Sequence, residues 1–330
     1  MTSIAPHITA FLQKRLPFEQ GASPHTCDSY AYTFMLLFEF ASQRLGLAPS
    51  ALCLEHLDAS LVLAFLEHLE THRGNIPSTR NVRLAAIKSF MRFLEYRLPS
   101  ALEQLQRVFA IPVKRTDTRL VAYLSMDEMQ AILNAPDLCT RDGIRDRAML
   151  YVGFVGGLRV SELIGLRVDA VALQPHPVIF VRGKGRKERL LPLWKETASD
   201  LRAWLAARGD TPVPEVFLNA KGQALTRWGF EYILRKHART AAQQCPSLIQ
   251  KHISPHVLRH TCAMMILHAT HDIRKVSLWL GHASVQTSEM YTRTDPLEKL
   301  DAIEAITPPS LRRGSFRPSD KLIDSLNPHT

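Results

Sequence analysis

The possible folds are limited most by a change of hydrophobic period part-way along the chain. Through residue 110 the apolar residues keep helical spacing. Phe34, Leu37, Phe38, Ala41 and Leu45 fall on one helical face, as do Ile87, Phe90, Met91, Leu94 and Leu98. Leu61 to Leu69 predicts a further helix with Asp58 as its N-cap, and Ala101 to Phe109 predicts a last one. Four or five helices with no strand make residues 1–110 an all-α bundle. Residues 111–120 open with IPVKRTDTR, which holds a proline, several polar residues and no apolar period, and so predicts a linker. Residues 121–307 then read as mixed α/β, mainly helical, with a small antiparallel sheet. Ser125-Met126-Asp127-Glu128 is a capping box. A helix spans Arg145 to Phe154, strands span Val178 to Arg182, Arg189 to Leu193 and Val216 to Leu218, and a helix starts near Thr226. Further helical segments lie around Val257 to Leu267, Ile273 to Leu280 and Val285 to Tyr291. Residues 308–330 form a polar tail.

Two domains suit a chain of 330 residues, which buries a sizeable core without staples. Lys and Arg number 41 against 31 Asp and Glu, and the resulting net charge of +10 favours a polyanionic partner, nucleic acid before others. Five scattered cysteines without a CxxC pair fit free thiols in a reducing compartment and give no zinc module. The N-terminus lacks the apolar core of a signal peptide, and no apolar run is long enough to span a bilayer. The expected location is the cytoplasm, at the bacterial nucleoid.

Four segments of the second domain carry candidate chemistry. Gly157-Leu158-Arg159-Val160-Ser161-Glu162-Leu163 offers a guanidinium fork suited to phosphate oxygens, with an acid three residues on. Arg182-Gly183-Lys184-Gly185-Arg186-Lys187-Glu188-Arg189 is a basic hairpin turn whose glycines permit close approach to a backbone, and it lacks P-loop spacing. Ser254-Pro255-His256-Val257-Leu258-Arg259-His260 opens a helix with an N-cap and an N1 proline, placing His256 and Arg259 near an anion-favouring end. Gly281-His282 closes a helix shortly before Tyr291. Taken singly, each has a plain structural explanation: a surface salt bridge, an exposed hairpin, a helix start, a packed ring. In this order they suit phosphoryl transfer. Two guanidinium groups hold the non-bridging oxygens, a histidine assists proton transfer, and a cation protonates the leaving oxygen. A phenol with a free pKa of ~10 needs such a setting to act as nucleophile. His256 and His260 are four apart, but Val257 stands where a metalloprotease helix needs Glu, so metal ranks below anion.

At GLRVSEL, GKGRKERLLPL, HVLRH, LGHAS and Tyr291 the sequence resembles the tyrosine recombinases, or phage integrase family, over nearly its whole length and most strongly from Leu124 to Arg293. The resemblance implies catalytic roles for Arg159, Lys184, His256, Arg259, His282 and the nucleophile Tyr291, with Glu162 in support. It implies a 3′-phosphotyrosine intermediate and a leaving 5′ hydroxyl, with no cofactor, no metal and no ATP, because bond energy stays in the protein–DNA link. It also implies a SAM-like core-binding N-terminal domain forming half of a clamp on double-stranded DNA. Arg80, Arg83, Lys88 and Arg92 are candidate phosphate contacts there, as are Arg186 and Lys187 in the hairpin. Members of the family act as tetramers at specific sites, some with a second recombinase, and Asp295 to Ile306 reads as a helix that docks on a neighbour. The residues after Pro308 favour integration, excision or transposition of a mobile element over Xer-type chromosome or plasmid dimer resolution. A DNA-binding protein without catalysis, or a metal hydrolase built on His256 and His260, is a weaker alternative.

Overall fold

The computed structural model describes residues 2–116, 120–183, 188–282 and 284–294. Lys184, Arg186 and Lys187, the Asp295 to Ile306 segment and the tail beyond Pro308 lie outside the described residues. The chain divides into two compact units, residues 1–118 and 119–330.

The first unit is helical: α1 (Ala5–Ala10), a wide-turned helix (Phe11–Glu19), α2 (Pro24–Leu45), α3 (Ala59–Thr71), α4 (Pro77–Glu95) and α5 (Leu102–Phe109). Its boundaries have chemical causes. Ser23 and Asp58 accept the amides of Thr26 and Leu61, Pro24 and Pro77 supply first-turn φ angles, and Gly46 ends α2 at φ 67°. Phe34 and Leu37 of α2 pack on Val62 and Phe65 of α3 and on Ile87 and Phe90 of α4, all buried. Phe11 joins them with its ring 5.3 Å from Phe90 and 6.1 Å from Phe34. The segment from Ala5 to Glu19, for which the sequence predicts no helix, thereby supplies a core residue.

Three of the four proposed phosphate contacts on α4 have other work. Arg80 is 4% exposed and donates to the Pro112 carbonyl at 3.0 Å. The Lys88 ammonium donates to the carbonyls of Phe109 and Ile111 at 2.7 and 2.6 Å, and burial holds its pKa below the ordinary lysine value. Arg83 donates to the Ser29 carbonyl and the Thr33 hydroxyl and lies over the Tyr32 ring. Arg80, Arg83 and Lys88 thus all hold partners within the unit. Each donates to a backbone carbonyl of another segment, which ties α4 to α2 and to the stretch after α5. Arg92 is exposed, with its guanidinium near the Phe109 ring.

The second unit contains α6 (Met126–Asn134), α7 (Arg141–Val155), α8 (Val160–Ile164), a sheet, α9 (Lys195–Arg208), α10 (Arg227–Ala241), α11 (Pro255–Thr270), α12 (Ile273–Leu280) and α13 (Glu289–Thr294). The sheet is antiparallel in the order β1 (Val171–Ala172), β2 (Val178–Arg182), β3 (Glu188–Pro192), with Val181 opposite Arg189. The capping box at Ser125 and Glu128 forms, and Glu128 also receives Ser247 and Lys251. α7 is the central helix, packed on α9 and α11. At its hidden side Asp146, 1% exposed, binds both Arg145 at 2.7 Å and His237 at 2.8 Å, so a buried carboxylate is fully partnered.

Two expectations fail. Val216 to Leu218 does not form a strand. Its backbone is used singly, with Val216 N–H donating to the Leu166 carbonyl, while the Trp204 indole donates to the Val216 carbonyl. Isolated bridges lie just before it, at Glu215, and at its last residue, Leu218. The helix predicted over Val285 to Tyr291 is split into one tight turn, Val285–Thr287, and α13.

Candidate active site

Arg159 sits at the N-cap of α8, directly after Gly157 and Leu158. Gly157 is a left-handed residue with φ +53°, and a Cβ there would meet Leu280 Cδ2 at 2.5 Å and Cys262 Sγ at 3.1 Å. This bend brings the Gly157 carbonyl to Arg259, whose Nη1 donates to it at 2.5 Å while Nη2 donates to the Leu280 carbonyl at 2.7 Å. Gly157→Ala is expected to destabilise the protein by about 2–4 kcal/mol, from the left-handed penalty plus overpacking. A urea midpoint close to that of the unmutated protein would show that the bend is not held as described.

Glu162, one turn into α8, gathers two cations. It accepts from the Arg159 amide at 3.0 Å and Arg159 Nη1 at 2.7 Å, and from Arg189 Nη2 at 2.8 Å. Burial works to raise its pKa, but the hydrogen bonds from Arg189 and the Arg159 amide outweigh this and hold it below the ordinary carboxylate value. Sequence reasoning missed Arg189. It stands in a run of basic residues read as turn charge, and only the period of two in β3, which turns Arg189 to the same face as buried Leu191, separates it from that run.

Arg259 is 4% exposed, and burial, with the charge of Arg159 next, pulls its pKa down to about 10, so it stays charged at neutral pH. Tyr291 is 1% exposed on α13, which packs against α11 and α12. Burial pushes the phenol up to about 12 against the pull of Arg259. Its hydroxyl lies 3.0 Å from His260 Nδ1, and the His282 ring stacks on the Tyr291 ring at 6.3 Å and 8°. His282 Nδ1 is paired with the buried Ser288 hydroxyl at 2.7 Å. His256 is exposed one turn before His260, their rings 6.3 Å apart. Ser254 holds the N-cap position of α11 without a side-chain cap bond, and Gly281 closes α12 at φ 62°. Arg159, Glu162, Arg259, His282 and Tyr291 thus meet in one place, with His256 at its open side and Arg189 and His260 added. Among the described residues no group of three or more His, Cys, Asp or Glu side chains is placed to hold a metal ion, and no helix is long and apolar enough to cross a membrane.

The two half-buried histidine rings also set an acid limit. Burial first, then neighbouring cations, lowers His260 and His282 to about 4. Their folded pKa values lie below the ordinary histidine value of 6.5. The stability they contribute is therefore complete above pH 6.5 and is lost as pH falls through about 4. Glu162, held below the ordinary carboxylate value, acts in the same direction at lower pH. Urea midpoints are expected to fall steadily from pH 7 towards pH 4, and a flat profile would contradict the burial of these groups.

A tyrosine set among fixed arginines and histidines, on a helical unit with a small three-stranded sheet, defines a DNA strand-transfer enzyme of the tyrosine type. Residues 122–298 match the phage integrase family and residues 8–97 the phage integrase N-terminal SAM-like domain. The chain belongs to the phage integrase family, the tyrosine recombinases, which cleave and rejoin DNA. It is similar to y4rC of Sinorhizobium fredii, described as an integrase/recombinase, with 42% identity over 327 residues and 98% of each chain covered. It is also similar to tyrosine recombinase XerC of Pelobacter propionicus, with 34% identity covering 88% of this chain and 92% of the other. The fold matches that of the XerH site-specific recombinase in its post-cleavage complex with a palindromic difH substrate, with a TM-score of 0.67 at 22% identity over 86% of this chain and 81% of that one.

Proposed function

We propose that this chain recombines DNA at specific sites through a 3′-phosphotyrosine bond to Tyr291, in the integration, excision or transposition of a mobile element. The observation that carries the assignment is the buried Tyr291 hydroxyl enclosed by His260, His282 and the charge of Arg259 and Arg159. In this reading Arg159 and Arg259 hold the non-bridging oxygens, and Glu162 fixes Arg159 and Arg189 in place. Lys184 protonates the leaving 5′ oxygen, while His256 and His282 contact the phosphate. A net charge of +10 supplies the attraction to DNA, with Arg92, Arg186 and Lys187 as candidate contacts. The working unit is a tetramer on two duplexes, alone or with a second recombinase.

The integration reading is supported by the greater and fuller similarity to y4rC, described as an integrase/recombinase, than to XerC. The XerC similarity supports a second reading, dimer resolution. Recombinase genes side by side between flanking repeats would favour the first, and a solitary gene the second. The chemistry is tested with a nicked suicide duplex carrying the recombination site. The expected product is a denaturation-resistant protein–DNA adduct, formed in the presence of a strong chelator, whose DNA-bearing peptide contains Tyr291. An adduct mapped to another residue, or chelator-sensitive cutting with free ends, overturns the proposal.

A further inference from the structure

We infer that His260, rather than His256, takes the proton from the Tyr291 phenol during strand cleavage. The inference rests on Tyr291 being the nucleophile. Geometry carries it. His260 Nδ1 stands 3.0 Å from the Tyr291 hydroxyl, with the rings edge to face at 61° and 5.7 Å between centroids. Helices α11 and α13 pack together, so both partners are held by regular backbone. His256 lies one turn away on the exposed side, 6.3 Å ring to ring from His260. His282 covers the face of the Tyr291 ring, and its Nδ1 is taken by Ser288.

The protonation states fit. A phenol at about 12 carries its proton at neutral pH, and an imidazole held near 4 by burial, His256 and Arg259 is neutral and able to accept it. A ring of such low basicity is a poor base in the empty site. The scissile phosphate changes that, because its anionic oxygens favour the imidazolium form. The base therefore gains strength when substrate arrives. In cleavage the Tyr291 oxygen bonds to phosphorus as its proton passes to His260 Nδ1. The bond from phosphorus to the 5′ oxygen breaks, and that oxygen takes a proton from Lys184. In rejoining a 5′ hydroxyl returns its proton to Lys184 and attacks phosphorus. The phosphotyrosyl bond then breaks, and the phenol oxygen recovers its proton from His260.

The test compares full-length His260→Ala and His260→Asn with the unmutated protein in single-turnover adduct formation. Two duplexes are used, one natural and one with sulfur bridging at the 5′ position, whose thiolate leaves without a proton. Loss of a general base is expected to slow both variants by about 10²–10⁴-fold on both duplexes, with DNA affinity retained. Added imidazole is expected to restore part of the His260→Ala rate. The Asn amide can keep a hydrogen bond to the phenol but cannot take its proton. A fully active Asn variant therefore reduces His260 to a positioning residue and overturns the inference. So does a sulfur-bridged duplex that restores the rate, since His260 would then serve the leaving group. Urea midpoints show which variants are folded, and should His260→Ala fail to fold, His260→Asn carries the same comparison. Failure of the tyrosine assignment is seen separately, as an adduct on another residue.

Discussion

Tyr291→Phe is expected to form no covalent adduct with cleavable DNA while binding that DNA as the unmutated protein does. The substitution removes one oxygen from a ring that is 1% exposed, so it leaves the packing volume of α13 unchanged. It costs one hydrogen bond, to His260, on the order of 1 kcal/mol. The fold should therefore persist, with a thermal midpoint within a few degrees. Phosphate attraction comes from many cations and does not need the phenol. What disappears is the atom that bonds to phosphorus. The neighbouring Ser288 hydroxyl is fully buried and paired with His282, so it offers no substitute. Adduct on denaturing gels together with affinity for the uncleaved duplex checks both halves. A persistent adduct in the Phe variant would place the chemistry elsewhere.

Arg259→Lys is expected to slow adduct formation by about 10²–10³-fold even though the charge is kept. The guanidinium fork reaches two carbonyls at once, Gly157 at 2.5 Å and Leu280 at 2.7 Å, and retains further N–H groups for a phosphate oxygen. An ammonium is a point donor and cannot satisfy both carbonyls and an oxyanion in that geometry. One carbonyl left unpaired costs about 1–3 kcal/mol, so stability falls as well. Single-turnover rates and urea midpoints, measured together, separate the two effects. A Lys variant with an ordinary rate would show that only the charge of Arg259 is used.

Much of the site was legible because its residue types are unusual in combination and their order is fixed along the chain. Asp58, Ser125 with Glu128, and Gly281 were legible for a different reason: helix ends obey local rules that a short stretch of sequence contains. What could not be read from the sequence shares a cause. Lys88 and Arg80 bind carbonyls from 21 to 32 residues away, and no pattern on α4 announces that. Arg189 is selected from its basic neighbours by strand pleat and by Glu162, which comes from another element. His260 was legible as part of HVLRH but was weighed only as a metal ligand, and its bond to Tyr291 depends on how α11 and α13 pack.

Glu162 has a consequence for the order of events. By binding Arg159 and Arg189 together it gathers two like charges before any nucleic acid is present. Their mutual repulsion is met once, during folding, and the incoming strand finds the anion receptor already shaped. A strand leaving one exchange and a strand entering the next encounter the same receptor, which suits a reaction that must run forwards and backwards with equal ease.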